Sequence, residues 1–307
     1  VVGTTIILHL RPEAAGYLDR FRLRHIIKTY SDHISVPIHL KAEDEAESEV
    51  VNSASALWSR NKNEISQEQY TEFYRQVSFA GDEPWMVLHN KNEGIIEFTN
   101  LLFIPKNKPF DLFHPDRKPR VKLYVRRVFI TDDQVNLVPA YLRFLRGVVD
   151  SADLPLNISR ETLQHNNIIE KIQKAIIKRT LAELKRKAEV DEDDYLTFWN
   201  NFGAVLKEGL CEAMADRERQ ELLEVCRFSH SLDDRLISLD EYLEKMAPNQ
   251  KQIYYLVSDD LEQAKRNPQL AGFTERGISV LLLSDPVDDF WVNVVSEYKD
   301  KGLCPIT

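Results

Sequence analysis

Three features of the chain predict a layered α/β fold. Residues 1–190 interleave alternating apolar strand segments with amphipathic helices, which predicts a large α/β/α domain. The acidic run Glu189, Asp191, Glu192, Asp193 and Asp194 opens a stretch with few strand signals, which predicts a short helical connector over 191–225. Strand–helix–strand–helix order then returns, predicting a small α/β/α domain with a parallel sheet over 226–307.

The elements follow in order. Residues 5–10 are β-branched and apolar and read as a strand; residues 16–30 carry helical spacing at Leu18, Phe21, His25 and Ile26. Residues 34–40 alternate apolar and polar, as a half-buried strand does, and Pro37 places it at a sheet edge because proline cannot donate to a ladder. Residues 43–49 are an acidic loop, and residues 67–77 a short amphipathic helix. Strands are expected over 85–89, 95–104 and 121–130, then a helix over 139–148. A long helix is expected from Ser159 towards Lys187, with Ile168, Ile169, Ile172, Ile176, Ile177 and Leu181 as its apolar stripe. Short helices follow over 195–206, 220–227 and 239–246. The last part reads as a strand over 252–257, a helix start over 261–265, a strand over 278–283 and a helix over 290–297.

At 307 residues the chain can form two packed domains, and 43% hydrophobic with 29% charged residues is an ordinary globular composition. A net charge of −9 argues against a nucleic-acid binder, which needs a basic face. The one basic cluster, Arg117, Lys118, Arg120, Lys122, Arg126 and Arg127, lies partly on a strand, where alternate residues face opposite ways and part of it is a solvated face. Cys211, Cys226 and Cys304 form no CxxC pair, so neither a disulfide framework nor a zinc site follows, and a reducing cytoplasm is expected. No apolar run reaches the roughly 18 residues of a membrane span. The chain opens on Val1, enters its first strand segment within a few residues and is expected to be a segment of a longer protein.

Familiar catalytic motifs are missing. Ten glycines include no GxxxxGK[ST] and no GxGxxG, so no complete phosphate cradle is encoded; HExxH and GxSxG are absent, and the eight histidines are scattered. What remains is residues 154–164. Pro155 keeps Leu154 extended, and Ser159 is a good N-cap. Arg160 then sits in a first helical turn, where the macrodipole disfavours a cation, with Gln164 one turn on along the same face. Free N–H groups beside a guanidinium suit a phosphate. A structural ion pair to Glu161 or another carboxylate is the competing reading.

This segment, with 57–61 (LWSRN), 102–106 (LFIPK), 109–113 (PFDLF), 122–132 (KLYVRRVFITD), 147–151 (GVVDS) and 252–256 (QIYYL), resembles the heat-shock protein 90 family of molecular chaperones, in particular the bacterial HtpG type and its middle segment. The resemblance runs from Gly3 to near the C-terminus. It implies a large domain of the ribosomal protein S5 domain 2-like type. It implies a stress-response chaperone in which a separate N-terminal ATPase domain holds ATP with Mg2+, none being bound by this segment alone. In that scheme Arg160 reaches the γ-phosphate, Gln164 assists, and Asn157 and Ser159 support the loop. The resemblance further implies a C-terminal dimerisation domain outside this chain, a homodimer at full length, and unfolded clients as partners, without nucleic acid or membrane. Candidate client contacts are Trp58, Phe110 and Phe113, in apolar islands of charged loops, and Phe290, Trp291 and Asn293 on the last helix, where adjacent rings must point apart.

Overall fold

The computed structural model describes residues 3–41, 47–114, 120–133, 135–155, 163 and 166–307. Two five-stranded sheets are joined through a helical layer. The large sheet comprises β3 (Pro84–Glu93), β4 (Glu97–Pro105), β5 (Arg120–Val125), β6 (Val128–Thr131) and β7 (Arg146–Ser151) in the order β3-β4-β7-β5-β6. The central β7 runs antiparallel to β4 and parallel to β5. Gly147 makes that centre possible: its φ is +127°, and a Cβ there would lie 2.1 Å from the Leu101 carbonyl oxygen. A separate two-stranded ribbon pairs β1 (His39–Leu40) with β2 (Glu49–Val50).

Alternation along the strands divides the large sheet into two faces. Leu101, Phe103, Tyr124 and Val148 pack under α2 (Gln67–Ser78) with Trp58, Phe73 and Tyr74. That helix opens on a capping box, Ser66 accepting from Gln69 N–H while the Gln69 side chain accepts from Ser66 N–H. Leu102, Ile104, Val121, Leu123 and Val149 face the other way, against α3 (Asn167–Val190) and α4 (Glu192–Glu208).

The small sheet comprises β8 (Ser229–His230), β9 (Gln252–Val257), β10 (Val280–Leu283), β11 (Glu297–Tyr298) and β12 (Lys301–Pro305), ordered β11-β12-β9-β10-β8. β12, β9 and β10 are parallel, as the strand–helix order predicts, and both outer strands are antiparallel. Ile253, Tyr255, Leu281 and Leu283 join the same buried cluster as the inner face of the large sheet. Leu256, Val280 and Leu282 form a smaller outer cluster with Ala264 of α7 (Leu261–Lys265) and Leu270. Short helices α5 (Asp216–Val225), α6 (Leu239–Glu244), α8 (Ala271–Thr274) and α9 (Asp288–Trp291) complete the layer.

Several expectations are corrected. Residues 5–10 form no strand: they are exposed and have no strand partner among the described residues. The strand over 34–40 shortens to β1. Residues 121–130 are a hairpin, β5–β6, turned at Arg126 and Arg127, both left-handed at φ 49° and 67°. The helix over 139–148 is a 3-10 turn at Ala140–Leu142 followed by β7. Its residues Tyr141, Leu142, Phe144, Leu145, Val148 and Val149 are buried on every side, so no amphipathic stripe distinguishes helix from strand. The long helix breaks at Asn166, which is extended and caps α3 by accepting from Ile168 N–H. The acidic run is the N-cap and first turn of α4: Asp191 accepts from Asp194 N–H, where carboxylates suit the helix dipole. The helix over 290–297 is only α9, and Glu297 belongs to β11.

One charge is enclosed between the layers. Lys207 of α4, fully buried, donates to both Asp288 oxygens at 2.7 and 3.0 Å and lies 2.5 Å from Asp285. Burial opposes the ammonium, but the two carboxylates outweigh it and raise its pKa. Asp288 also accepts from Trp291 Nε1 at 2.6 Å and from Asp285 N–H at 2.9 Å. Asp288→Ala removes both Asp288 contacts and the Trp291 acceptor and leaves the buried ammonium with Asp285 alone; urea denaturation is expected to show a loss of up to about 3–5 kcal/mol. Lys187→Ala, at the partly exposed pairs of Lys187 with Asp191 and Asp194, is expected to cost about 1 kcal/mol.

Candidate functional site

Arg160, Gln164, Asn157 and Ser159 lie outside the described residues. What is described is the root from which that segment departs. β7 leaves the middle of the large sheet at Ser151, and each of its last residues is held. Asp150 accepts from Trp58 Nε1 at 2.8 Å and from Arg127 N–H at 3.1 and 3.2 Å. Ser151 Oγ donates to the Glu97 carbonyl, Asp153 accepts from Glu97 N–H at 2.7 Å, and Arg126 Nε donates to the Ala152 carbonyl. Leu154 and Leu163 are both buried in the main core. On the far side Asn166 starts α3. The described residues on either side of the segment, Leu154 and Leu163, are thus anchored in the core.

The left-handed Arg126–Arg127 turn is costly for non-glycine residues, on the order of 1–2 kcal/mol each. Asp150 offsets part of that by accepting the Arg127 N–H. Asp150 and Trp58 were invisible as a pair in the sequence because 92 residues separate them.

Trp58 is therefore a core residue, removed from the surface its charged neighbours suggest: the indole sits among Phe73, Tyr124 and His33. Its carbonyl bonds His89 Nε2 at 2.8 Å, and His89 Nδ1 bonds Tyr70 Oη at 2.8 Å. Burial is the largest influence on His89 and holds its pKa below the ordinary histidine value, against the Trp58 hydrogen bond. Trp291 is likewise fully buried, whereas Phe290 beside it is 67% exposed and Asn293 is exposed. In the 109–113 loop the rings also divide. Leu112 is buried, Phe110 is wholly exposed, and Phe113 is half-exposed with the Arg143 guanidinium 5.8 Å from its ring centre. Four of the six candidate contacts, Phe110, Phe113, Phe290 and Asn293, thus reach the surface, and the two tryptophans do not.

Among the described residues no group of His, Cys, Asp and Glu could hold a metal ion, and no helix is long and apolar enough to cross a membrane. The described residues offer a hydrogen-bonded exit from β7 and separate exposed aromatic groups.

A family model described as Hsp90 protein matches residues 41–307, and the chain belongs to the Hsp90 family. It is 59% identical over 299 residues to a protein named Chaperone protein HtpG from Ehrlichia ruminantium (strain Welgevonden), covering 97% of this chain and 47% of that one. Proteins of the same name from Rickettsia bellii (strain OSU 85-389), 59% identical over 301 residues, and Wolbachia pipientis wMel, 54% identical over 305 residues, cover 98% and 99% of this chain and 48% of their own length. The chain spans about half the length of the curated relatives it matches.

The neutral, buried His89 makes stability fall on acidification. Its folded pKa lies below the unfolded value of about 6.5, so below that pH the unfolded chain binds the extra proton and is favoured. His230, also depressed by burial, acts in the same direction. Urea midpoints are expected to drop between pH 7 and pH values below about 6, and to drop less in His89→Gln.

Proposed function

We propose that this chain is the middle segment of a cytoplasmic, ATP-dependent molecular chaperone of the HtpG type. In this reading ATP and Mg2+ are held by an N-terminal domain outside the chain, and Arg160 approaches the γ-phosphate when the domains close, with Gln164 beside it and Asn157 and Ser159 bracing the segment. A planar, permanently charged donor stabilises phosphoryl charge once water is excluded. The observation that carries the reading is membership of the Hsp90 family over residues 41–307 in a chain about half as long as its relatives. The rigid exit of β7 supports it, because a conditional contact needs an arginine delivered from a fixed base. We assign residues 1–190, of the S5 domain 2-like type, to the arginine, 191–225 to the connector and 226–307 to the small domain. Dimerisation falls to a C-terminal domain outside the chain.

Exposed Phe110, Phe113, Phe290 and Asn293 are assigned to unfolded clients. The rival reading, an interaction module with no part in hydrolysis, keeps this surface and makes Arg160 a structural ion-pair partner.

In the full-length protein Arg160→Ala is expected to lower the hydrolysis rate while leaving nucleotide affinity in the open state unchanged. Arginine fingers contribute about 10³–10⁵ in rate, and an arginine that docks transiently contributes less. Arg160→Lys restores little, since a point charge lacks the guanidinium fork. Steady-state hydrolysis and equilibrium nucleotide binding separate the readings; an unchanged rate in folded Arg160→Ala supports the interaction module.

Phe110→Ser with Phe113→Ser is expected to weaken suppression of client aggregation and to leave the thermal midpoint nearly unchanged. A loss of about 3–5 kcal/mol, the cost of a core phenylalanine, would remove these rings from the client surface.

A further inference from the structure

A cleft of about 630 Å³ lies where α3 crosses the free edge of the large sheet. Lys62, Asn90, Lys91, Asn92, Lys178 and Arg179 form its polar lining, and Phe98, Asn100, Ala175 and Ala182 its remaining wall. Four cations from three separate elements converge on it: the 3-10 turn Lys62–Glu64, β3 and α3. No carboxylate lines it. The side chains of Lys62, Lys178 and Asn90 have no hydrogen-bond or ion-pair partner among the described residues. Lys91 and Arg179 are held only by exposed pairs, to Glu93 and, at 3.2 Å, to Glu183. Such pairs contribute little and exchange readily. Ala175 and Ala182, each one turn from Lys178 and Arg179 on the same helical face, leave room for a ligand beside the cations.

We propose that this cleft binds an inorganic oligophosphate chain. The chemistry selects the class. The charged groups of the lining are donors only, and an oligophosphate is an acceptor-only ligand with charge repeating along its length. A peptide would bring backbone N–H groups that the ammonium and guanidinium groups cannot accept. A single-stranded nucleic acid needs a ring on which to stack its bases, and the one ring here, Phe98, is buried. The lining shares no residue with the proposed arginine segment or client surface.

The test uses the 307-residue chain and short-chain inorganic polyphosphate, with poly-glutamate and a single-stranded oligonucleotide as competing probes, each titrated by calorimetry at low and high salt. Polyphosphate is expected to bind most tightly, and more weakly as salt rises. The triple variant Lys62→Gln, Lys178→Gln, Arg179→Gln alters exposed residues, and an unchanged thermal midpoint verifies its fold. It is expected to weaken binding by at least about tenfold. Lys251→Gln with Arg266→Gln, outside the cleft, is expected to change binding by less than about twofold. Absence of binding at low salt, equal binding by the triple variant, or tighter binding of poly-glutamate or the oligonucleotide overturns the proposal.

Discussion

The structure depends on α4, which belongs to both halves of the core at once. Near its start Phe198 stacks on Trp85 of the large sheet, with ring centres 4.6 Å apart, and meets Phe144; Phe202 packs against Phe144 one turn later. Tyr195 donates its hydroxyl to the Val225 carbonyl at 2.5 Å, tying in α5. At the far end Lys207 reaches Asp288 of α9, beneath the small sheet. A helix with Tyr195, Phe198, Trp199, Phe202, Val205 and Leu206 all buried has an apolar face too wide for one sheet, and both sheets contribute to covering it while Asp193, Thr197 and Asn200 stay exposed. That closure merges their inner faces into one continuous apolar cluster.

Enclosing a helix in this way forces polar groups indoors, and Arg143 and Arg146 are met by partners that the topology supplies, while Thr180 Oγ1 and Arg227 Nε find none among the described residues. Arg143 forms a two-point pair with Glu208 at 2.5 and 2.8 Å and donates Nε to the Leu112 carbonyl, stitching the 109–113 loop to the last turn of α4. Arg146 donates only to carbonyls, those of Arg143 and Leu145, and burial depresses its pKa to about 10. These contacts give up little conformational freedom on forming, because both partners stand on fixed elements. They also decide which parts of the loops stay outside: with Leu112 and the Arg143 fork anchored, Phe110 has no inward direction left.

Much of the fold was legible wherever local signals agreed with the tertiary outcome. α2 has a capping box and an apolar stripe, and β9 and β10 have apolar runs framed by turns. Errors fell where burial is two-sided or where a partner is remote. Residues 141–148 are buried throughout, Arg143 and Arg146 included, so periodicity carried no information, and the positive φ of Gly147 in β7 is imposed by its neighbour Leu101. The hairpin at Arg126–Arg127 lacks the Asn-Gly signature of such turns, being sustained instead by Asp150. At the candidate site the arginine segment was legible as a motif, while its support was not. Trp58, His89 and Asp150 come together only when β3, β4 and β7 pair, and the loop composition around Trp58 pointed to the surface.

The last helix joins these themes. Phe290 and Trp291 are adjacent, and on a helix neighbouring side chains diverge by about 100°. Which ring turns inward is decided by Asp288, whose Oδ1 accepts from the Trp291 indole while the same carboxylate holds Lys207. With Trp291 locked, Phe290 is obliged to face solvent, and Asn293 fastens the following turn by donating to the Asp289 carbonyl at 2.6 Å. The exposure of Phe290 is thus a consequence of the buried ion pair rather than of any preference of its own. Locking Trp291 sets the direction in which the Phe290 side chain leaves the backbone, and so the buried ion pair decides which ring of the pair lies on the surface.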